Sequence, residues 1–271
     1  MAQVGTLVKH SLSRYLASFR VFAAAFDVSR ERYSLSYEEK VPDSVLCDAG
    51  TDVRVLGIGS GSGDMDRSIL KKLLQRHTSV YNRVVEPSEE MIARYKTLAR
   101  ENKSLGAVKF DWRQQTAEEY FLRTKEDTKF HLIHAIHVLY NVDDIHATLR
   151  NMWEQVADGG YMMVALESGD RLKTSFRTSG DVRQWLDGKG ISYVTSEDEI
   201  NLNVTECFKE GSKTGELLLD FVTYTPFVSD VPEIRSTALE HIRCKSSVVD
   251  NKIMFQTIDE IIVAFKGDQG K

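Results

Sequence analysis

The sequence predicts an α/β protein with a Rossmann-like, doubly wound, mostly parallel sheet of seven strands and a helical substrate lid. Two observations carry this prediction. From residue 53 to about residue 166, strand-length apolar runs alternate five times with amphipathic helical patterns, as parallel strands joined by crossover helices require. The first apolar run also leads directly into a glycine-rich loop, and sheets of this kind bind ligands at the carboxyl ends of their strands.

The segments before the first strand predict a helix followed by irregular chain. Residues 8–26 place apolar side chains, several of them aromatic, at helical spacing. Such a helix either packs on the core or overhangs the ligand crevice. Residues 30–50 are charged and contain Pro42 and Gly50, so we interpret them as an irregular connection.

The alternating region gives each element a position. Strands are expected at 53–58, in a run ending at Glu86, and at 108–112, 130–138 and 161–166. Helices are expected at 64–75, after an N-cap at Ser88, at 116–122, and from Asp143 or Asp144 to 156. The sequence Asp158-Gly159-Gly160 predicts a turn into the fifth strand.

Beyond residue 166 the pattern changes. We expect a helix at 178–187, strand-like runs at 191–194 and 201–208, helices at 216–224 and 231–244, and a long strand at 252–265. The predicted division is an N-terminal helical lid (1–50), a ligand-binding core (51–170), and a substrate-binding lid with the last sheet strands (171–271).

Composition excludes several classes of function. The net charge is −5, and no cluster of Lys and Arg offers the basic surface that nucleic acid requires. Cys47, Cys207 and Cys244 have no spacing typical of a disulfide framework or a zinc site. No apolar run approaches the roughly 20 residues of a membrane span, and no signal-peptide pattern opens the chain. We therefore expect a cytoplasmic protein, most simply a monomer, that binds neither nucleic acid nor membrane.

The loop Gly57–Gly63 and Glu86 predict a nucleotide-type ligand. Only glycine takes φ > 0 cheaply and lets a ligand reach the backbone, and a carboxylate at the end of the second strand can accept hydrogen bonds from both hydroxyls of a ribose. A dinucleotide fingerprint needs glycine where this chain has Asp64, and no GK[ST] follows for a P-loop. Without a cation in the loop for phosphate, the pattern favours S-adenosylmethionine (SAM); a generic Rossmann-like loop is the alternative.

Three histidines lie on the fourth predicted strand, but they do not predict a metal site. Side chains alternate between the two faces of a strand, so His134 points opposite to His131 and His137, and the three cannot converge on one ion. His137 lies at the end of this strand, where a substrate would lie. It is either a hydrogen-bonded structural histidine or a polar contact to the substrate.

Several segments together resemble the animal histamine N-methyltransferase family, whose members are SAM-dependent class I methyltransferases. These segments are RYLASFRVF, RVLGIGSGSGDMDRSIL, RVVEPSEEMIARYK, VKFDW, LIHAIHVLYNVDDIHATL and KIMFQTIDEIIV. The resemblance runs from about residue 10 to 165 and colinearly to about 265. A stretch of the family's lid near 169–179 is absent, so the chain is similar to a divergent member.

The resemblance implies a set of site residues. It assigns SAM to Gly59, Ser60, Gly61, Glu86, Met91, Ala117 and Ile136. It assigns the methyl acceptor to Tyr15, Phe19, Asp27, Val28, Tyr140, Asn141, Cys207, Phe227 and Thr257. His137 stands at a family glutamine and is the candidate catalytic residue, Asp27 is the nearest acid to the family's amine-binding glutamate, and Thr257 replaces an asparagine.

The implied activity is transfer of a methyl group from SAM to a nitrogen of a small, histamine-like amine or imidazole, which leaves S-adenosylhomocysteine. An imidazole is largely neutral at pH 7, so its attacking nitrogen needs no strong base. The alternatives are another acceptor, such as a histidine dipeptide or a larger amine, and a non-catalytic SAM-binding protein. An NAD-dependent oxidoreductase is a third, which Asp64 disfavours.

Overall fold

The computed structural model describes residues 7–26, 30–46, 53–123, 127–168 and 177–267. The described residues group into two compact units. The sheet unit is drawn from residues 31–167, 177–197 and 260–267, and the helical unit from residues 7–30, 168 and 198–259. None of the helices in the described ranges combines the length and the hydropathy that a bilayer span requires.

The structure contains ten α-helices and eight strands in these ranges. The helices are α1 (Leu7–His10), α2 (Leu12–Ala24), α3 (Arg30–Lys40), α4 (Asp64–Leu73), α5 (Glu89–Glu101), α6 (Ala117–Arg123), α7 (Ile145–Gln155), α8 (Ser179–Lys189), α9 (Lys213–Thr223) and α10 (Pro232–Cys244). The strands are β1 (Val53–Ile58), β2 (Val80–Val85), β3 (Val108–Arg113), β4 (Phe130–Ile136), β5 (Val156–Ser168), β6 (Tyr193–Asn203), β7 (Ser246–Val249) and β8 (Lys252–Phe265).

The predicted doubly wound sheet is confirmed. Its strand order is β3-β2-β1-β4-β5-β8-β6, with parallel pairing between β1 and β2, β2 and β3, β1 and β4, and β4 and β5. The seven predicted strands are joined by β7, a short strand antiparallel to β8. The chain order reverses between β1 and β4, which places the ligand crevice of such a sheet at the carboxyl ends of these two strands.

The strands of the sheet unit form its core because both faces of the sheet are covered. Val55, Leu56 and Ile58 on β1 and Leu132 and Ile133 on β4 are all buried. Parallel strands that are covered on both faces have nearly continuous apolar sequences. This is why the positions of these strands could be predicted from the sequence.

The N-terminal connection was predicted wrongly. Residues 30–50 are not irregular throughout, because α3 occupies Arg30–Lys40 and a 3₁₀ turn follows at Asp43–Leu46. The inward face of α3 carries Tyr33 and Tyr37, one turn apart and both buried. Because so few apolar side chains mark the buried face of this otherwise polar helix, the sequence does not show a clear helical spacing of apolar residues.

The predicted turn at Asp158–Gly160 was also wrong, because these residues belong to β5. The register with β4 shifts there from Phe130 opposite Val156 to Leu132 opposite Tyr161. Gly159 takes φ +74° and its N–H donates to the carbonyl of Lys266 at 2.8 Å. Between these two pairs β5 advances five residues and β4 only two, so residues at the expected turn are an unpaired irregularity inside β5.

Candidate active site

The glycine loop, residues 57–63 at the carboxyl end of β1, contains two glycines with different surroundings. Gly59 (φ +66°) meets the protein: a Cβ there would lie 2.2 Å from Cγ2 of Val138. Gly61 (φ +55°) meets open space, with no atom of the described residues within 4 Å of such a Cβ. Backbone at Gly61 is therefore accessible to a ligand, whereas Gly59 allows the loop to pack against the residues after β4.

Glu86 follows β2 and is hydrogen-bonded to this loop. Its Oε2 accepts from the Gly61 N–H at 3.0 Å, and its Oε1 accepts from the Ser88 N–H at 2.9 Å. Burial raises the pKa of Glu86, the two N–H donors oppose this shift, and the charge of Asp66 adds to it. Each carboxylate oxygen keeps a lone pair for a further donor. The open backbone at Gly61 and the carboxylate beside it fit the ribose of an adenosyl group.

The three residues predicted on the adenine side all lie at the carboxyl edge of the sheet. Met91 is buried in the first turn of α5, where Ser88 Oγ accepts from its N–H at 3.3 Å and confirms the predicted N-cap. Ala117 is buried at the start of α6, and Ile136 is the last residue of β4.

His137 follows β4 in an unfavourable backbone conformation. Its φ is +52°, uncommon for a residue other than glycine, and its N–H donates to the carbonyl of Ala165 at 3.0 Å. Both ring nitrogens are engaged: Nε2 lies 2.7 Å from Tyr33 Oη and 3.2 Å from Tyr37 Oη, and Nδ1 lies 2.7 Å from Tyr140 Oη. The sequence located His137 and Tyr140 but missed Tyr33 and Tyr37, whose spacing of four residues was the available signal.

The loop that carries Tyr140 and Asn141 is held by its own backbone and by Arg177. The Asn141 N–H donates to the carbonyl of Val138 at 2.8 Å. The Arg177 guanidinium donates to the carbonyls of Leu139 at 3.3 Å, of Asp143 at 2.5 Å and of Val142. A planar guanidinium with several fixed donors holds such a turn in one shape.

His131 and His134, the two histidines within β4, have separate surroundings, as the alternation of side chains along a strand predicts. His131 Nδ1 accepts from the Arg54 N–H at 3.0 Å. His134 is buried beneath the glycine loop, with Nε2 3.6 Å from Asp66 Oδ1, and burial lowers its pKa while Asp66 opposes this. Within the described part of the chain, no three His, Cys, Asp or Glu side chains could hold a metal ion.

Asp66 connects His134 to a buried polar group that sequence reasoning missed. Its Oδ2 accepts from the Tyr95 hydroxyl at 3.1 Å, and Tyr95 Oη accepts from the Asn82 amide at 3.2 Å. The Tyr95 pKa is well above its ordinary value, chiefly through burial, so this hydroxyl remains a donor. Polar side chains thus support the loop from below.

The helical unit holds the remaining described acceptor candidates. Tyr15 and Phe19 stack with ring centroids 6.3 Å apart, and both contact Phe221, at 5.9 and 5.8 Å. Two predicted residues, Asp27 and Val28, lie outside the described residues. Thr257 is half-buried on β8.

Phe227 and Cys207 have different environments in this unit. Phe227 is exposed, takes φ +56°, and lies under the Arg14 guanidinium at 3.9 Å, while Arg14 Nε donates to the buried Asp220 at 2.5 Å. Cys207 is buried, and burial raises its pKa to about 12. The thiol therefore stays protonated at neutral pH and offers an apolar contact rather than a nucleophile.

A doubly wound sheet with this glycine loop and a carboxylate after β2 defines a class I SAM-dependent methyltransferase. Residues 56–162 match a family model described as a methyltransferase domain. Among solved structures, the YcgJ protein of Bacillus subtilis superposes with a TM-score of 0.58 at 15% identity, covering 88% of this chain and 99% of that one. A putative methyltransferase of Bacillus halodurans gives 0.56 at 11% identity, covering 86% and 98%. These two likenesses show the fold.

The curated relatives define the family. Histamine N-methyltransferase B of Xenopus laevis is 36% identical, covering 93% of this chain and 94% of that protein. Histamine N-methyltransferase of Cavia porcellus is 32% identical, covering 91% and 95%. The chain belongs to the histamine N-methyltransferase family, as the sequence resemblance predicted, and it is a SAM-dependent N-methyltransferase.

Proposed function

We propose that the chain methylates a nitrogen of a small imidazole-containing amine, with histamine as the first candidate. The observation that carries this proposal is the match to histamine N-methyltransferases over nine-tenths of the chain. The hydrogen-bonded imidazole of His137 at the end of β4 supports it, because a small polar acceptor needs a fixed polar contact.

SAM supplies the methyl group on a positively charged sulfur. The chain's own contribution is alignment: Glu86 orients the ribose, Gly59, Ser60 and Gly61 hold the methionine end, and Met91, Ala117 and Ile136 contact the adenine. A neutral acceptor nitrogen must lie in line with the methyl carbon at about 3–3.5 Å, and such alignment lowers a barrier by up to about 7–11 kcal/mol in favourable cases.

His137 is the residue we assign to the acceptor. A neutral imidazole nitrogen attacks through its lone pair without a base, so the role of His137 is to orient the acceptor by one hydrogen bond, which replaces or passes through the contact of Nδ1 with Tyr140 Oη. Methylation leaves the acceptor as an imidazolium cation that still holds the proton of its other ring nitrogen, and taking that proton is the alternative role of His137. Tyr140 and Asn141 contact the acceptor beside it.

The remaining predicted residues complete this proposal. The aromatic pair Tyr15 and Phe19 supports an aromatic acceptor contact, to which we add Asp27, Val28, Cys207, Phe227 and Thr257. In this proposal residues 51–170 bind SAM, and residues 1–50 and 171–271 contribute to the binding of the acceptor. We further propose a cytoplasmic monomer that binds neither membrane nor nucleic acid, supported by a net charge of −5.

A substrate panel with methyl-labelled SAM tests this function. Histamine, histidine dipeptides and larger amines are each incubated with the protein, and the products are identified by mass spectrometry. The proposal expects labelled N-methylhistamine as the best product. Preference for a dipeptide or a larger amine would show that this compound, and not histamine, is the acceptor. Binding of SAM without any turnover would indicate the non-catalytic alternative.

A further inference from the structure

Three polar side chains converge beneath the start of the glycine loop. A Cβ built on Gly57, near the end of β1, would lie 2.2 Å from Ser60 Oγ and 2.8 Å from His134 Cε1. It would also lie 3.0 Å from Asp66 Oδ2. The backbone of Gly57 is not in the left-handed region. Glycine is therefore needed there for space, because polar groups of the protein fill the place of its missing side chain.

The hydroxyl of Ser60 lies on the inner side of the loop. Its Oγ is buried and has no hydrogen-bond partner within the described part of the chain. It occupies the space that Gly57 leaves open. A hydroxyl at this place cannot at the same time donate to a ligand on the open side of the loop, so Ser60 can contact SAM through its backbone only.

Asp66 links three elements of the sheet unit under the loop. It lies in the first turn of α4, and its Oδ2 accepts from the hydroxyl of Tyr95 on α5 at 3.1 Å. Its Oδ1 lies 3.6 Å from Nε2 of His134 on β4. All three side chains are buried. Burying a carboxylate is unfavourable compared with an apolar side chain of similar volume, so stability alone does not account for Asp66.

Tyr95 contacts the other end of the loop. Gly63 takes φ +81°, and a Cβ there would lie 2.2 Å from Cδ2 of the Tyr95 ring. The Gly63 N–H donates to the carbonyl of Ser60 at 3.0 Å. We call Ser60, Asp66, Tyr95 and His134 the loop support. The loop support contacts both ends of the loop, and between these contacts the N–H of Gly61 reaches Glu86.

We propose that the loop support holds the glycine loop in the shape that binds SAM. Asp66 and Tyr95 are then positioning residues for the cofactor, and the Ser60 hydroxyl acts through the loop. Backbone groups that are already in place bind a ligand more tightly, because ordering them during binding costs free energy. The inference rests on the proposed position of SAM at Gly61 and Glu86, and it is independent of the acceptor.

A pair of substitutions tests Ser60. Gly57→Ala should raise the dissociation constant of SAM, measured by calorimetry on the full chain, at least about tenfold, because its methyl group displaces the Ser60 hydroxyl and the loop. Adding Ser60→Ala removes the nearest clashing atom, so the double variant should bind SAM at least about threefold more tightly than Gly57→Ala. A hydroxyl that bound SAM directly would make the double variant weaker. A double variant that binds no better than Gly57→Ala would overturn the assignment of Ser60.

Ser68→Ala is the matched control for this recovery. Ser68 is also buried, on α4, and its hydroxyl lies 3.5 Å from that of Ser34. Its hydroxyl is not among the three atoms nearest to a Cβ on Gly57. Combined with Gly57→Ala, it should therefore recover no SAM affinity. Equal recovery with Ser68→Ala would show that loss of any buried hydroxyl relieves the loop, and would contradict the specific role of Ser60.

Two substitutions test the Asp66 carboxylate. Asp66→Leu removes the acceptor of the Tyr95 hydroxyl and should raise the dissociation constant of SAM about tenfold, measured well below the melting temperature. Asp66→Asn keeps a carbonyl oxygen for that hydroxyl and should recover most of this loss. Full SAM affinity in a folded Asp66→Leu variant, or equally weak binding by Asp66→Asn, would overturn the positioning role.

Tyr95→Phe decides the question if Asp66→Leu does not fold. It removes only the hydroxyl and should raise the dissociation constant of SAM about threefold. Tyr120→Phe removes another fully buried hydroxyl of the sheet unit, one that donates to Gln155 at 3.1 Å, and should leave SAM binding unchanged. Equal effects of the two substitutions would contradict the proposal.

The same calorimetry separates this inference from the proposed cofactor site. If the parent does not bind SAM, both fail. If Glu86→Gln weakens SAM binding while the variants of the loop support do not, only this inference fails.

Discussion

The two halves of the candidate site lie at the carboxyl ends of neighbouring strands but are built differently. The residues after β1 offer backbone: the open face at Gly61 and a carboxylate hydrogen-bonded to main-chain N–H groups. The residues after β4 offer side chains: the imidazole of His137 with the hydroxyls of Tyr33, Tyr37 and Tyr140 around it. Backbone contacts suit a ligand that does not change, such as SAM, whereas side-chain contacts can change by substitution when the acceptor changes. Variants should therefore separate SAM binding from acceptor use.

The largest effect is expected at Glu86. Glu86→Gln removes the charge and turns an amide toward one of the two N–H donors, so SAM loses charge-assisted hydrogen bonds of about 1.5–3 kcal/mol each. The dissociation constant of SAM, measured by calorimetry, should rise about 100-fold or more. Glu90→Gln is the control, because Glu90 is exposed and pairs with Arg94. Unchanged SAM affinity in Glu86→Gln would contradict the assignment of Glu86 to SAM binding.

Two glycines distinguish ligand contact from packing. Gly59→Ala combines a left-handed φ with a clash against Val138 and should destabilise folding by about 2–5 kcal/mol. Gly61→Ala carries only the backbone cost of about 1–2 kcal/mol, but its methyl group enters the ligand space and should weaken SAM binding at least about tenfold. Thermal unfolding and calorimetry give both values. A Gly61→Ala variant with full SAM affinity would place the ligand elsewhere.

On the acceptor side, His137→Ala should lower kcat/KM for the acceptor about 10- to 100-fold while leaving SAM affinity nearly intact. His137→Asn separates chemistry from strain, since asparagine tolerates the left-handed conformation. Both variants should be impaired in steady-state assays, and His137→Asn should be less destabilised than His137→Ala, because only alanine adds the backbone cost of the left-handed conformation. Equal losses of SAM affinity and turnover in these variants would show that His137 does not act on the acceptor side alone.

The smallest effect is a pH dependence that belongs to the cofactor half alone. Because burial raises the pKa of Glu86, ribose binding should weaken as pH falls through a value above the ordinary 4.5. The sign for folding is opposite: protonating Glu86 stabilises the ligand-free protein, and that stability is lost as pH rises through its pKa. Calorimetry at several pH values measures the dissociation constant of SAM. It should rise at acid pH for the parent protein and stay constant for Glu86→Gln. A dissociation constant of the parent that does not rise at acid pH would contradict this prediction.

Sequence reasoning succeeded where the signal was local. The buried strands, the glycine loop, Glu86 and the Ser88 cap each lie within one short segment whose pattern has one physical explanation. It failed where meaning depends on distant partners. Tyr33 and Tyr37 are two tyrosines in a charged stretch until the fold places His137 beside them. Gly159 predicts a turn because the sequence does not show that β5 pairs with β4 on both sides of it, at Val156 and at Tyr161. Asp66 and His134 similarly meet only through the fold.

The most direct test is a crystal structure of the protein with S-adenosylhomocysteine and histamine. The account predicts both ribose hydroxyls on the Glu86 carboxylate, the methionine end against Gly59 and Gly61, and the imidazole of histamine next to His137 and Tyr140. A nucleoside bound away from Glu86, or an acceptor ring remote from His137, would contradict it.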